Sequence, residues 1–482
     1  MDIKLTDNYD YNAYKVILDK KFNIPEFKKE NTAFVISAIY NDHMVLQANV
    51  TCRIFGQYSG DSKFVAAVLR HEEGGEVRTF YSENINGEFE IWMSPTGYGG
   101  PYTLTIIDEA GCCVVFSDVL FGEVFVMGGQ SNMGWSMSQC YDGTVSKLYY
   151  QDIIDNSAND NVRYMQVYPN ESDAPVEYLS SCITWIAASA KCVVNQCAVP
   201  YFFARRLNEL YNVPVGVVVA CMGATHISTW TIGGRWYNGV VKPVTRMTVR
   251  GVCWYQGEGD PENYGQRLAE LISMWRSEFE NPSLYWAAVQ LPRYINWEGY
   301  ARSREEVKKV ADMVDKYTYC VTLDTGLYPE WVAEGDPFND DGVHPYQKEE
   351  IGSRLAEIVA GDFFGAPGVW SSPYMERVCK TENGTVDVTY KNVGEGLVLA
   401  GSYGFEVADG DGTYYDATPH LVGKDKIVLS CRATEDIKKV RYGYKNKRGE
   451  QVCSCAESVC VYNSKDGMHP AYPGEQFETE CE

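Results

Sequence analysis

The chain has 482 residues with 42 Lys or Arg against 65 Asp or Glu, a formal charge of −23. That length predicts about three domains and a core large enough to need no disulfide or metal staple. The acidic balance excludes nucleic acid and anionic membrane as expected partners, and 45% hydrophobic with 13% aromatic residues excludes disordered, collagen-like and simple coiled-coil chains.

The opening MDIKLTDNYDYNAYKVILDKKF has neither a basic n-region nor an apolar run of secretory type. The longest apolar stretch, about Val213 to Met222, is too short to span a bilayer. As given, the chain is expected to be cytoplasmic, and secreted or periplasmic if a leader has been removed. Residues 1–33 read as an N-terminal extension. From Phe34, short strands alternate with turns in TCRIFGQYSG, KFVAAVLRH, NINGEFEIWM with its hairpin dipeptide Asn86-Gly87, and PYTLTIIDEAG, which predicts a small β-sandwich over 34–118. The pattern then changes to alternating strands and helices over 119–365. Apolar Glu123 to Met127, Pro214 to Cys221, Val249 to Tyr255, Leu284 to Leu291 and Tyr319 to Leu323 read as strands. Ala198 to Tyr211, Tyr264 to Phe279, REEVKKVADMVDK and KEEIGSRLAEIVAG, the last closed by a Gly, read as helices. This alternation predicts an α/β fold, a parallel sheet flanked by helices with its active site at the carboxyl ends of the strands. Strands return over 366–482 in TVDVTY, KIVLSC, KVRYGY and SVCVYN.

The 16 Cys residues are too sparse for a disulfide scaffold. Cys453, Cys455 and Cys460 lack an obvious fourth ligand, so strand-borne thiols are expected there and no metal. DGDGTYYD over Asp409 to Asp416 fails the calcium-loop pattern and reads as a hairpin turn. Nucleotide-binding glycine motifs after a strand are missing, and no cofactor is expected.

In GEVFVMGGQSNMGW an apolar strand ends at Gly128-Gly129 and presents Ser131 on the next turn, where its hydroxyl can be a nucleophile and its N–H can face an oxyanion. Met133 replaces the second Gly of the G-x-S-x-G elbow, and the alternative is a helix N-cap Ser. A Ser nucleophile needs a base, and there are six His: His43, His71, His226, His344, His420 and His469. Two follow an Asp by three residues, in Asp341-Gly342-Val343-His344-Pro345 and Asp466-Gly467-Met468-His469-Pro470, a spacing that lets the carboxylate orient the imidazole. His344 precedes an amphipathic helix at the edge of the α/β region, whereas His469 precedes a Pro-rich polar tail, so His344 is the preferred base. In GVCWYQGEGD, Gln256 closes a buried strand and could donate to an oxyanion. In VVVACMGATHISTWT, Gly223 ends another strand and could add a backbone donor.

GQSNM, a Gly-Ala-Thr loop with Trp230, WYQGE and D-x-x-H-P before a terminal helix, in that order, resemble the sialate O-acetylesterase family of SGNH (GDSL-like) hydrolases. DHMVLQ, GGPYTLTI, VRYGYKN and VYNSKDGMHP extend the resemblance over roughly 34–475. It implies a flavodoxin-like three-layer α/β/α domain with accessory β-sandwich-like domains and removal of O-acetyl groups from sialic acids without metal or cofactor. It also implies Ser131 as nucleophile, His344 as base, Asp341 as orienting carboxylate, and Ser131 N–H, Gly223 N–H and Gln256 as oxyanion donors. Gln130, Asn132, Trp254 and Glu258 fall in the same motifs as candidate supporting or substrate-binding residues. Gly134 stands where the family has an acidic residue, Gly223-Ala224-Thr225 replaces Gly-Gly-Thr, and Arg304-Glu305-Glu306-Val307 replaces R-E-x-Q, departures that bear on the substrate. The expected partner is an O-acetylated small molecule or oligosaccharide. Neutral acetylated glycans such as xylan oligosaccharides are the alternative substrate, and a non-catalytic glycan-binding protein is the alternative of another class.

Overall fold

The computed structural model describes residues 18–20, 22, 33–75, 77–141, 146–260, 262–294, 299–326, 343–444, 447–448, 451–452, 459–468 and 471–481. Strands β1 (Phe34–Ile36), β2 (Val45–Gln47), β3 (Cys52–Tyr58), β4 (Phe64–His71), β5 (Val77–Glu83), β6 (Glu88–Met93) and β7 (Gly99–Asp108) come first. They split between a three-stranded sheet, β1-β3-β6, and a second layer built around β4 and β7. Ile54, Phe55, Phe89 and Ile91 of the first layer meet Val65, Leu69, Leu104 and Ile106 of the second in one core, a sandwich as the alternating pattern predicts. Asn86 and Gly87 both have positive φ, +56° and +85°, as the tight hairpin between Ile85 and Glu88 requires.

β8 (Cys113–Gly129) runs 17 residues without interruption. Its first part pairs antiparallel with β7 and its last part is the central strand of a parallel sheet. A boundary drawn at 118/119 therefore falls inside one strand. Asp118, with φ +53°, marks the bend there, held by Arg163 and His43 through its carboxylate.

The parallel sheet adds β9 (Asn159–Gln166), β10 (Ile183–Ala188), β11 (Val215–Cys221), β12 (Gly251–Tyr255), β13 (Tyr285–Val289) and β14 (Tyr317–Cys320). The spatial order is β10-β9-β11-β8-β12-β13-β14, with only β10 antiparallel along this path. Side chains alternate along β8: Val124 and Val126 enter the core that continues into the sandwich, while Phe125 and Met127 enter a second core on the opposite face. The first face is covered by helices Tyr264–Glu278 and Gly299–Lys309, the second by Ala198–Tyr211 and Lys348–Asp362. Burial on both faces explains why these strands are continuous apolar runs.

The last helix does not stop at Gly361 but continues to Asp362. A Cβ at Gly361 would lie 2.6 Å from that of Trp370, so this glycine permits close packing of the following segment and does not end the helix. Beyond it, two four-stranded sheets and a short strand pair enclose a third core, into which Val321 and Leu323 project from the chain after β14. The Asp409 segment is a hairpin turn whose Oδ1 accepts the N–H groups of Asp411 and Thr413. Among the described residues no group of three His, Cys, Asp or Glu could hold a metal ion. Cys453, Cys455 and His469 lie outside the described residues, and Cys460 is buried. No helix of the described residues is long and apolar enough to cross a membrane.

Candidate active site

Three parallel strands finish level at the carboxyl edge of the sheet, with Gly129 of β8 opposite Cys221 of β11 on one side and Tyr255 of β12 on the other. Gly129 has φ +132°, and a Cβ there would fall 2.1 Å from the Tyr255 carbonyl oxygen, so only glycine allows this turn. The chain passes through Gln130, whose N–H donates to that same carbonyl at 3.0 Å, into a four-residue helix, Ser131–Gly134. Ser131 is its first residue and Gln130 its N-cap, so the capping alternative for the serine does not describe this turn. As one of the first N–H groups of a helix, that of Ser131 has no partner within it. Gly223 follows two residues past the end of β11 and lies against this serine: a Cβ at Gly223 would lie 3.3 Å from the Ser131 Cβ and 3.8 Å from the Ser131 nitrogen.

His344 meets this turn from 213 residues away, with Nε2 2.8 Å from Ser131 Oγ. Its ring stacks on Trp135 with centroids 4.0 Å apart and planes 22° apart. The segment bearing it is tied on several sides. Tyr150 Oη donates to the Tyr346 carbonyl at 2.6 Å, and Gln347 exchanges two hydrogen bonds with the Gly326 backbone. The following helix is fixed by two short Arg354–Asp324 hydrogen bonds, 2.6 and 2.7 Å, and by Gly352 packed on Phe202 of the neighbouring helix. Asp341 lies outside the described residues.

Behind the serine, Asn132 is fully buried and joins three elements. Its Nδ2 donates to Glu258 Oε1 at 2.7 Å and to the Val343 carbonyl at 3.0 Å, and its Oδ1 accepts from Lys348 Nζ at 2.6 Å. The serine turn and the histidine segment are thus tethered to each other through one amide. Lys348 is wholly buried, with Nζ 5.6 Å from the centre of the Tyr255 ring. Burial pushes the Glu258 carboxyl up to about 7, against the opposing effects of Asn132 and Lys348, and its Oε2 has no hydrogen-bond partner among the described residues. Asn132 and Glu258 stand out in the sequence motifs, whereas Lys348 does not, standing as the first residue of an amphipathic helix. A lysine there opposes the helix dipole, the one signal that could have drawn attention to it.

Gln256 is differently employed from its expected role. Its Nε2 donates to Asp260 Oδ2 at 3.0 Å and to the Thr225 carbonyl at 3.2 Å, so both amide hydrogens are engaged. It braces the Gly223 loop and does not offer a donor to an oxyanion. Of the two roles offered for Trp254, support or substrate binding, burial leaves the first: it is 1% exposed, packs in a cluster with Trp230, Trp275 and Trp286, and donates to Tyr264 Oη. Gln130 is buried at the turn, its side chain 3.5 Å from Gln256.

A serine hydroxyl hydrogen-bonded to a held imidazole, beside two backbone segments at a strand edge, is equipped for acyl transfer. The family model for carbohydrate esterases described as sialic acid-specific acetylesterases matches residues 121–360. This segment belongs to that family. The chain is similar over 414 residues to sialate O-acetylesterases from Pongo abelii and Homo sapiens, each 23% identical over 74% of this chain and 76% of theirs. Among solved structures it resembles a carbohydrate acetylesterase from Xanthomonas citri, with TM-score 0.77 and 24% identity over 92% of this chain and 99% of that one. The protein is a carboxylic ester hydrolase.

Proposed function

We propose that this esterase removes O-acetyl groups from sialic acids through a Ser131–His344–Asp341 triad and an acetyl-enzyme. The observation that carries the mechanism is the 2.8 Å contact between Ser131 Oγ and His344 Nε2. The names of the curated relatives carry the substrate class. His344 takes the hydroxyl proton as Ser131 attacks the acetyl carbonyl, and Asp341 holds the imidazole in the required tautomer. The tetrahedral oxyanion is held by the N–H groups of Ser131 and Gly223, a type of contact worth about 10²–10³ in rate per donor. His344 then protonates the leaving sugar oxygen, and water, deprotonated by the same imidazole, releases acetate. Neither metal nor cofactor enters these steps. We read the domain as a flavodoxin-like member of the SGNH hydrolases. In its support, once β9, which pairs parallel to β11 on its outer side, is set aside, β8, β11, β12, β13 and β14, numbered first to fifth, stand in the spatial order second, first, third, fourth, fifth.

The test is acetate release from O-acetylated sialic acids and from acetylated xylan oligosaccharides, each with wild type and Ser131→Ala. Sialate-selective release that falls by at least about 10³-fold in the variant is expected. Release from xylan alone would keep the serine and discard the sialate reading.

A further inference from the structure

A carboxylate–imidazole pair has its imidazole in the loop that leaves the serine turn past Gly223. The loop after Gly223 reaches His226 three residues on, so its Cα lies within about 11 Å of that of Gly223 at full extension, and a Cβ placed on Gly223 would lie 3.3 Å from that of Ser131. His226 Nδ1 is 2.9 Å from Asp260 Oδ1, while its side chain remains 67% exposed. Asp260 is only 5% exposed and organises this loop. It accepts from the Ile227 N–H at 2.8 Å, from Gln256 Nε2 at 3.0 Å and from Arg267 Nη1 at 3.0 Å. Burial alone would raise this carboxyl, but the bonds from His226, Ile227 and Gln256 and the Arg267 charge outweigh it and hold it below the ordinary value.

An anionic sugar approaching a chain of charge −23 needs a local cation at the pocket. Lys348 is buried beneath the serine turn and bound to Asn132, so it does not reach the surface. Arg267 is turned onto Asp260 and the Asp260 and Glu262 carbonyls. His226 alone of these three is mainly solvent-exposed. With Nδ1–H given to Asp260, its Nε2 faces outward, and protonation of Nε2 makes an imidazolium able to lie between two carboxylates. The charged groups packed on it are Asp260 and, behind that, Arg267.

Resting on the sialate reading above, we infer that His226, held by Asp260, recognises the carboxylate of the acidic sugar and takes up a proton as the sugar binds. Asp260 is a positioning residue for this imidazole. The bound anion favours the charged imidazole, so affinity for an acidic sugar falls as pH rises and His226 deprotonates. Affinity for a neutral sugar does not. The reacting pair behaves oppositely, because His344 must be neutral to accept the serine proton. Hydrolysis of an anionic ester therefore gains an alkaline limb that a neutral ester lacks.

The test is calorimetric binding of N-acetylneuraminic acid and of its methyl ester to the Ser131→Ala protein, with and without His226→Gln, between pH 6 and 8. A charge-assisted hydrogen bond of this kind is worth about tenfold or more in affinity. We expect the acid to bind about tenfold tighter than the ester at pH 6, with net proton uptake in buffers of different ionisation enthalpy. Both the preference and the uptake should vanish in His226→Gln, whose melting temperature, the site being exposed, should be unchanged. Equal binding of acid and ester, failure of the acid to bind, or a preference that survives the substitution overturns the inference. A His226-dependent preference together with no acetate release from O-acetylated sialic acids would keep the carboxylate site and reject the substrate reading alone.

Discussion

The two ends of the parallel sheet each bury a glutamate, and the two are treated in opposite ways. At the entrance of the parallel part of β8, Glu123 is 1% exposed and surrounded by donors. Arg250 binds both of its oxygens, at 2.6 and 3.0 Å, Gln47 donates at 3.1 Å, and Tyr98 donates to the other oxygen. At the exit, Glu258 has one bond from Asn132 on Oε1, nothing on Oε2 among the described residues, and a carboxyl pushed up to about 7 by burial. A buried carboxylate with its full set of donors fastens the sandwich to the sheet. One left short of donors, directly behind a reactive serine, marks where the fold gives up stability for arrangement.

The sharpest way to break the comparison is to unpair the entrance. Arg250→Ala leaves Glu123 buried without its cation and should destabilise by about 3–5 kcal/mol, read as a lower midpoint of urea unfolding. Esterase activity per folded molecule should be retained. A loss below about 1 kcal/mol would mean the entrance network is no stronger than the exit one.

At the exit the expected effect is smaller and of opposite sign. The folded-state carboxyl of Glu258 sits above its ordinary value of 4.5, so below pH 4.5 both folded and unfolded states are protonated and the group is neutral for stability. As pH rises from 4.5 to 7 the unfolded chain ionises first and stability falls, the full deficit being present above 7. Glu258→Gln keeps an oxygen for Asn132 and removes this titration. It should therefore be more stable than wild type at pH 8 by up to about 3 kcal/mol, converge with it near pH 4, and lose kcat through the loosened Asn132 tether. A variant less stable at pH 8 would show that Glu258 fastens the fold as Glu123 does.

Much of this was legible in the sequence because the relevant signals are local. An apolar run ending in Gly128-Gly129 marks the strand edge that presents Ser131, and the dipeptide Asn86-Gly87 marks a turn that needs positive φ. The amphipathic helix after His344 identifies which of two similar histidine turns is anchored, and the structure brings that histidine to the serine. What escaped depends on contacts between distant segments. Gln256 looks like a free amide until Asp260 and Thr225 are seen to occupy both its hydrogens, and Trp254 could support the site or touch a substrate until three other tryptophans are seen to enclose it. The change of pattern at 118/119 reads as a domain boundary because the partners of Asp118 and Glu123, Arg163 and Arg250, lie 45 and 127 residues away. Only in three dimensions do they become fixtures within one continuous strand.

The most direct test of the central claim is reaction with a fluorophosphonate followed by mass spectrometry of the digested protein. One adduct per chain is expected, on Ser131, forming more slowly in His344→Gln. Labelling of another serine, or a Ser131 adduct whose rate is indifferent to His344, would contradict it.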